Sequence, residues 1–132
     1  MFRIGDLAAR CNVSKDTIRF YEKKGLLDSP FRSESGYRLY TNQEERHLKF
    51  IIRAKSVGFT LREIQELLSI RLEPDDFTCA EVKSIADKKI QKLEARIREI
   101  ESFKNSLTRL SDTCCGGSEN ASNCSILDRL ES

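Results

Sequence analysis

Residues 77–115 read FTCAEVKSIADKKIQKLEARIREIESFKNSLTRLSDTCC, and the fold turns on how this stretch is read. Its start is signalled twice. Thr78 and Glu81 have the spacing of a capping box, and Phe77 and Val82 that of a hydrophobic staple. From there Ala86, Ile90, Leu93, Ile97, Ile100 and Leu107 recur in alternating steps of four and three, with Lys104 the one polar interruption. A seam with that period buries one long helix against another, so residues 78–111 are predicted to be a dimerisation helix.

Thiols flank the helix. Cys79 opens it, Cys114 and Cys115 lie just past its end, and Cys124 follows. Helix rise puts Cys79 and Cys114 roughly 50 Å apart within one chain. They meet only if a second copy runs antiparallel, bringing Cys79 of one copy to Cys114 and Cys115 of the other. The thiols therefore predict an antiparallel coiled-coil homodimer with two sites built across subunits.

The chain of 132 residues is 33% charged and 39% hydrophobic, which suits a soluble, helix-rich protein with a limited core of its own. No run is apolar enough for a membrane span, and Met1-Phe2-Arg3 leads directly into a helix pattern rather than a signal peptide. The expected compartment is the cytoplasm. Five cysteines would pair unevenly in an oxidising compartment, whereas clustered thiols in a reducing one point to metal or redox chemistry. Residues 1–68 hold 13 Lys and Arg against 9 Asp and Glu, a basic half that suits a polyanionic partner.

In chain order, Ile4, Leu7, Ala8 and Cys11 share one face of a helix expected from Ile4 to Arg10. Cys11 reads as a small buried apolar residue. Ser14 is an N-cap for a second helix that ends before Gly25. Two short helices joined by a tight turn make a helix-turn-helix. The second is expected to expose Lys15, Asp16, Thr17, Arg19 and Lys23, with Phe20 and Tyr21 interleaved. Charge for phosphates and directional donors for base edges are what a major-groove reader needs. Arg32-Ser33-Glu34-Ser35-Gly36 then forms a turn, and Tyr37-Arg38-Leu39-Tyr40 a short strand. Such a hairpin is a wing, with Tyr37 and Arg38 set against the phosphate backbone and Tyr40 open to a core role.

Thr41-Asn42-Gln43-Glu44 and Thr60-Leu61-Arg62-Glu63 are two further capping boxes. The first opens a helix carrying Leu48, Ile51 and Ile52, ended by Gly58. The second opens one carrying Leu61, Ile64, Leu67 and Leu68. Together they suffice to cover the first two helices. His47, the sole histidine, sits beside Arg46 and Lys49 and reads as a polar surface residue. Lacking any nucleophile to pair with, it supports no catalytic constellation, and no enzyme is expected.

Beyond the long helix, Gly116-Gly117 lets the loop fold back, and Cys124 opens a short helix from about Ser125 to Leu130. Cys79 lies in the first turn of its helix, where the backbone N–H groups and dipole favour a thiolate. Adjacent thiols point apart, so two neighbouring ions, or one ion and a supporting thiol, suit Cys114-Cys115 better than one shared ion. The thiol set suits zinc (Zn2+), with Cd2+, Pb2+ or Hg2+ as alternatives.

Residues 1–71 resemble the DNA-binding half of the MerR family of bacterial transcription regulators. The resemblance is carried by Ile4-Gly5-Asp6-Leu7-Ala8, Thr17-Ile18-Arg19-Phe20-Tyr21-Glu22, Gly36-Tyr37-Arg38-Leu39-Tyr40 and Gly58-Phe59-Thr60-Leu61. Cys79, Cys114-Cys115 and Cys124-Ser125-Ile126-Leu127 are similar to the zinc-responsive branch, over essentially the whole chain. The resemblance implies a mostly α protein in four parts. These are a winged helix-turn-helix over 1–71, a hinge over 72–77, the dimerisation helix over 78–111, and a metal-binding loop with a short helix over 112–132. It further implies a homodimer on double-stranded promoter DNA that represses without metal. With metal it distorts the operator, so that RNA polymerase engages a metal-resistance promoter. DNA contacts would fall to Lys15, Thr17, Arg19, Tyr21, Tyr37 and Arg38.

For the metal, the resemblance implies Cys114 and Cys124 with Cys79 of the partner subunit around one ion, and Cys115, Cys79 and Glu119 around a second. Glu119 stands where the zinc-responsive branch has histidine, and a carboxylate is a harder donor than imidazole. The family's monovalent-copper sensors have serine where this chain has Cys79, which favours a divalent ion. A thiol redox or iron–sulfur sensor on the same fold is the alternative. The family's iron–sulfur member, however, packs its cysteines more tightly than Cys114-Cys115 and Cys124 do.

Overall fold

A computed structural model describes residues 1–29 and 31–132. In chain order the helices and strands are α1 (Ile4–Cys11), α2 (Lys15–Lys23), β1 (Phe31–Arg32), β2 (Arg38–Leu39), α3 (Asn42–Ser56), α4 (Leu61–Leu72), α5 (Cys79–Asp112) and α6 (Ser125–Glu131). The chain is mostly helical, and the winged helix-turn-helix expected from the sequence is present. Two compact units divide it, Met1–Val82 and Lys83–Ser132. Among the described residues, no helix is long and apolar enough to cross a membrane.

The caps set the helix boundaries of the first unit. The Ser14 hydroxyl accepts the Thr17 N–H at 3.1 Å and starts α2. At Thr41 the backbone N–H donates to Glu44 Oε1 at 3.0 Å and the hydroxyl to Oε2 at 2.9 Å. Glu44 is therefore buried with both oxygens satisfied. Thr60 and Glu63 repeat the exchange at 2.8 and 3.2 Å to start α4. α1 runs one residue past the expected Arg10. Asn12 takes the left-handed conformation (φ 55°) and donates its N–H back to Ala8 and Ala9, which keeps Cys11 inside the last turn.

Leu7, Ile18, Leu48, Ile51, Ile64 and Tyr40 are the largest wholly buried side chains, drawn from α1, α2, α3, α4 and the residue after β2. Full burial of each aliphatic one is worth about 1.5–3 kcal/mol. The hairpin is shorter than the expected strand over 37–40. Phe31 pairs with Leu39 and Arg32 with Arg38, antiparallel. Tyr40 leaves the hairpin to pair with Phe2, through N–H···O bonds of 2.7 and 2.8 Å. The residue after Met1 thus ties down the base of the wing.

The second unit is built differently. α5 and α6 contain no buried residue. Ile90, Leu93, Ile97, Ile100 and Leu107 are all exposed along α5, and Leu127 and Leu130 along α6. Phe103, absent from the 4-3 count, joins Ile100 and Leu107 in a shallow groove also lined by Lys104, Thr108 and Ser111.

Candidate DNA-reading face and thiol site

α2 presents Lys15, Asp16, Arg19, Phe20 and Lys23 to solvent, with Thr17 half-buried. Arg19 reaches Asp16 at 3.1 Å, a surface pair of low value that a phosphate or base edge displaces at little cost. Tyr21 corrects the expected reading face. It is 6% exposed because it lies one turn from Ile18 on the core side of the helix. Phe20, rotated onto the opposite side, is the aromatic that faces outward, with the Lys24 ammonium 5.7 Å from its ring.

On the wing, Gly36 (φ 85°) makes the turn that lets Tyr37 donate its N–H to the Ser33 hydroxyl at 3.1 Å. Tyr37 is exposed, and the Arg3 guanidinium lies 4.6 Å over its ring. Arg38 is half-buried. Its Nε lies 3.0 Å from Glu22 Oε2, so the arginine expected to face the phosphates is also paired with the reading helix. The same carboxylate accepts the Tyr40 hydroxyl. Burial, and then that bond to Glu22, push the Tyr40 phenol well above the usual tyrosine range. Sequence pattern gave no sign of Glu22 in this role, because its partners lie 16 and 18 residues further on.

Behind α2, burial and then the Glu45 carboxylate raise the Cys11 thiol, whose Sγ contacts the Glu45 carbonyl at 4.0 Å. Glu45 itself lies 3.3 Å from both Lys49 and Arg10. Desolvation works to raise its carboxyl, but those two cations hold it below the usual range. Cys11 is thus a packed, inert thiol.

The thiol loop is organised by the end of α5 and the start of α6. Thr113 closes α5 with its hydroxyl on the Leu110 carbonyl at 2.7 Å. The Ser125 hydroxyl donates to the Thr113 carbonyl at 2.7 Å, which draws the first residue of α6 back to the last turn of α5. That closure sets the Cys124 side chain near that of Cys114. The Cys124 thiol is lowered by the backbone N–H groups of Leu127 and Ile126, and then by the Cys114 side chain. Cys114 Sγ also accepts the Gly116 N–H at 3.4 Å.

Cys115 and Cys79 are exposed. Glu119 is exposed too, and its carboxylate lies over Gly117, where an added Cβ would only need that flexible side chain to swing aside. Among the described residues no three potential ligands gather within one chain. Two soft donors, one already eased toward thiolate, nonetheless fit a d10 metal ion.

A helix-turn-helix with a wing, joined to a long exposed helix, defines a DNA-binding transcription regulator. The family model described as MerR HTH family regulatory protein matches residues 2–70, and that described as MerR, DNA binding, matches residues 45–110. The chain is 48% identical to the transcriptional regulator ZntR of Escherichia coli (strain K12), over 99% of this chain and 93% of that protein. It is 39% identical to the mercuric resistance operon regulatory protein of Bacillus cereus, over 86% and 85%. The crystal structure of the transcription regulator PbrR691 from Ralstonia metallidurans CH34 in complex with lead(II) superposes with a TM-score of 0.88. The two share 35% identity over 98% of this chain and 99% of that one. The chain belongs to the MerR family.

Proposed function

We propose that this chain is a metal-responsive transcription regulator that binds promoter DNA as a homodimer and takes zinc, or another divalent d10 ion, in sites shared between two copies. The observation that carries the reading is the pairing of Cys114 with a pKa-lowered Cys124 at the start of α6. Cys79 stands exposed at the far end of the helix that this loop follows. Two thiols from one copy and the partner's Cys79 would make a three-sulfur donor set. Cys115 and Glu119 are the candidates for a second ion. Bound there, the ion supplies a cross-link between the loop and the start of the partner helix, so ligation and packing become one equilibrium.

In this reading, residues 1–71 read DNA, 78–111 dimerise and 112–132 hold the ion. The exposed apolar row of α5 supports the dimer, since a monomer rarely leaves so long an apolar stripe in water. Without metal the dimer represses; with metal it distorts the operator, and RNA polymerase engages. The test is a mixed dimer. One subunit carrying Cys79→Ser and another carrying Cys114→Ser and Cys115→Ser should retain one complete site, because both lesions fall in the same one. Zinc stoichiometry should be half that of the wild-type dimer, and loss of all bound zinc would refute the shared site.

A further inference from the structure

We propose that Glu22 is a positioning residue for DNA binding. Its carboxylate holds Arg38 by Nε, so that the arginine's terminal nitrogens meet a backbone phosphate beside the reading helix. The proposal rests on the reading above, in which α2 and the wing both touch duplex DNA.

A guanidinium carries five N–H donors in a rigid fork and cannot lose its charge. The contact from Nε to Glu22 Oε2 uses one of them, on the inner edge of the fork. The arginine side chain is 37% exposed and the glutamate side chain 13%, so the carboxylate is the sheltered partner and the guanidinium spans from it to water. An arginine in that setting bridges two anions, one permanent and one brought by the ligand. A phosphate is the anion the adjoining surface is built to meet.

The carboxylate is also fixed in place. Its other oxygen accepts the hydroxyl of Tyr40, a residue with no exposed surface, whose backbone is paired with Phe2 in both directions. β1 and β2 have only two residues each, and a hairpin that short is not stable by itself. Glu22, Tyr40 and Arg38 therefore tie the wing to α2 and set the spacing between the two elements that contact DNA.

Salt dependence separates this from a purely structural role. Each phosphate neutralised adds about 0.9 to the slope of log K against log salt, so one contact per subunit contributes about two to a dimer. The probe is a duplex selected by the full-length dimer from a randomised library. Arg38→Gln should lower the slope by about two. Glu22→Gln should do the same with about tenfold weaker binding, and the double variant should lose nothing further. Removing a carboxylate beside DNA would raise affinity on charge grounds alone, so a joint fall in affinity and slope is specific to lost positioning. Glu22→Asp keeps the charge while drawing the carboxylate back by one methylene, and it should shift the slope in the same direction if Glu22→Gln does not fold. If Arg38→Gln lowers the slope while the folded Glu22 variant leaves it unchanged, the positioning role is overturned. If Arg38→Gln itself leaves the slope unchanged, the phosphate contact fails first and the proposal with it.

Discussion

Leu48 and Ile97 both belong to the apolar stripe of an amphipathic helix, yet Leu48 is wholly buried while Ile97 is 55% exposed. The difference lies in what each stripe has to meet. α3 is covered by α1, α4 and the residue after β2, so the first unit completes its own core. α5 carries an equally regular stripe and buries none of it. One unit is finished within the chain, and the other is complementary to something outside it. Most helical stability in a protein comes from packing an amphipathic face rather than from propensity, so what covers the stripe sets how stable α5 is.

The strongest way to break that contrast is to charge the stripe. Ile97→Asp with Ile100→Asp places four carboxylates in the seam of a dimer. It should weaken association on the order of a thousandfold, about 4 kcal/mol. Sedimentation should move from dimer to monomer while urea unfolding of the first unit stays put. An unshifted sedimentation coefficient would mean that the stripe faces something other than a second copy. The matching change in the finished core is Leu48→Ala, expected to cost about 2–5 kcal/mol through a cavity. Chemical denaturation followed by tyrosine fluorescence reads it, since Tyr21 and Tyr40 share that core. A loss under 1 kcal/mol would show that the site collapses freely and that the first unit is less tightly built than its burial suggests.

A smaller effect is expected at the helix starts. Thr41→Ala removes a hydroxyl that accepts the Gln43 N–H and donates to a buried carboxylate, and should cost about 1 kcal/mol. Thr78, whose hydroxyl accepts the Glu81 N–H at 3.1 Å in exposed surroundings, should tolerate Ala with a smaller loss. Equal losses at both positions, measured by thermal melts, would show that burial of Glu44 adds nothing to the cap.

These caps are also where the sequence was most legible. Ser14, Thr41, Thr60 and Thr78 each precede a helix, because the first N–H groups of any helix need an acceptor and short polar side chains supply one locally. The thiol loop was legible in part. Gly116, at φ 75°, is local turn chemistry, whereas the Ser125 hydroxyl on the Thr113 carbonyl and the approach of Cys124 to Cys114 need α6 folded back. Tyr21 is buried while Phe20 beside it is exposed, and only packing shows which of two adjacent aromatics the core takes. The pairing of Glu22 with Arg38 depends on two segments meeting in space, and no period in the chain encodes it. Phe103 was passed over because a strict 4-3 count lands on Lys104, while the exposed apolar face is wide enough to include the neighbouring position.

The least disruptive comparison is between two thiols. Cys11 in the first unit is raised by burial and Glu45, and Cys124 in the second is lowered by backbone N–H groups and Cys114. At neutral pH, iodoacetamide followed by peptide mass spectrometry should therefore label Cys124 well before Cys11, because the thiolate is the nucleophile. The two also pull stability in opposite directions with pH. Folding favours the neutral form of Cys11, so its contribution is full below the ordinary thiol range and is lost as pH rises through its raised folded value. Folding favours the thiolate of Cys124, so its contribution is full above the ordinary range and is lost as pH falls through its lowered value. From neutral to alkaline pH the loop should thus become harder to open while the first unit loosens slightly, a divergence that hydrogen exchange resolves by segment. A Cys124 rate no faster than that of a cysteine in an unfolded peptide would show that the loop opens freely in solution and that its fold does not prepare a ligand.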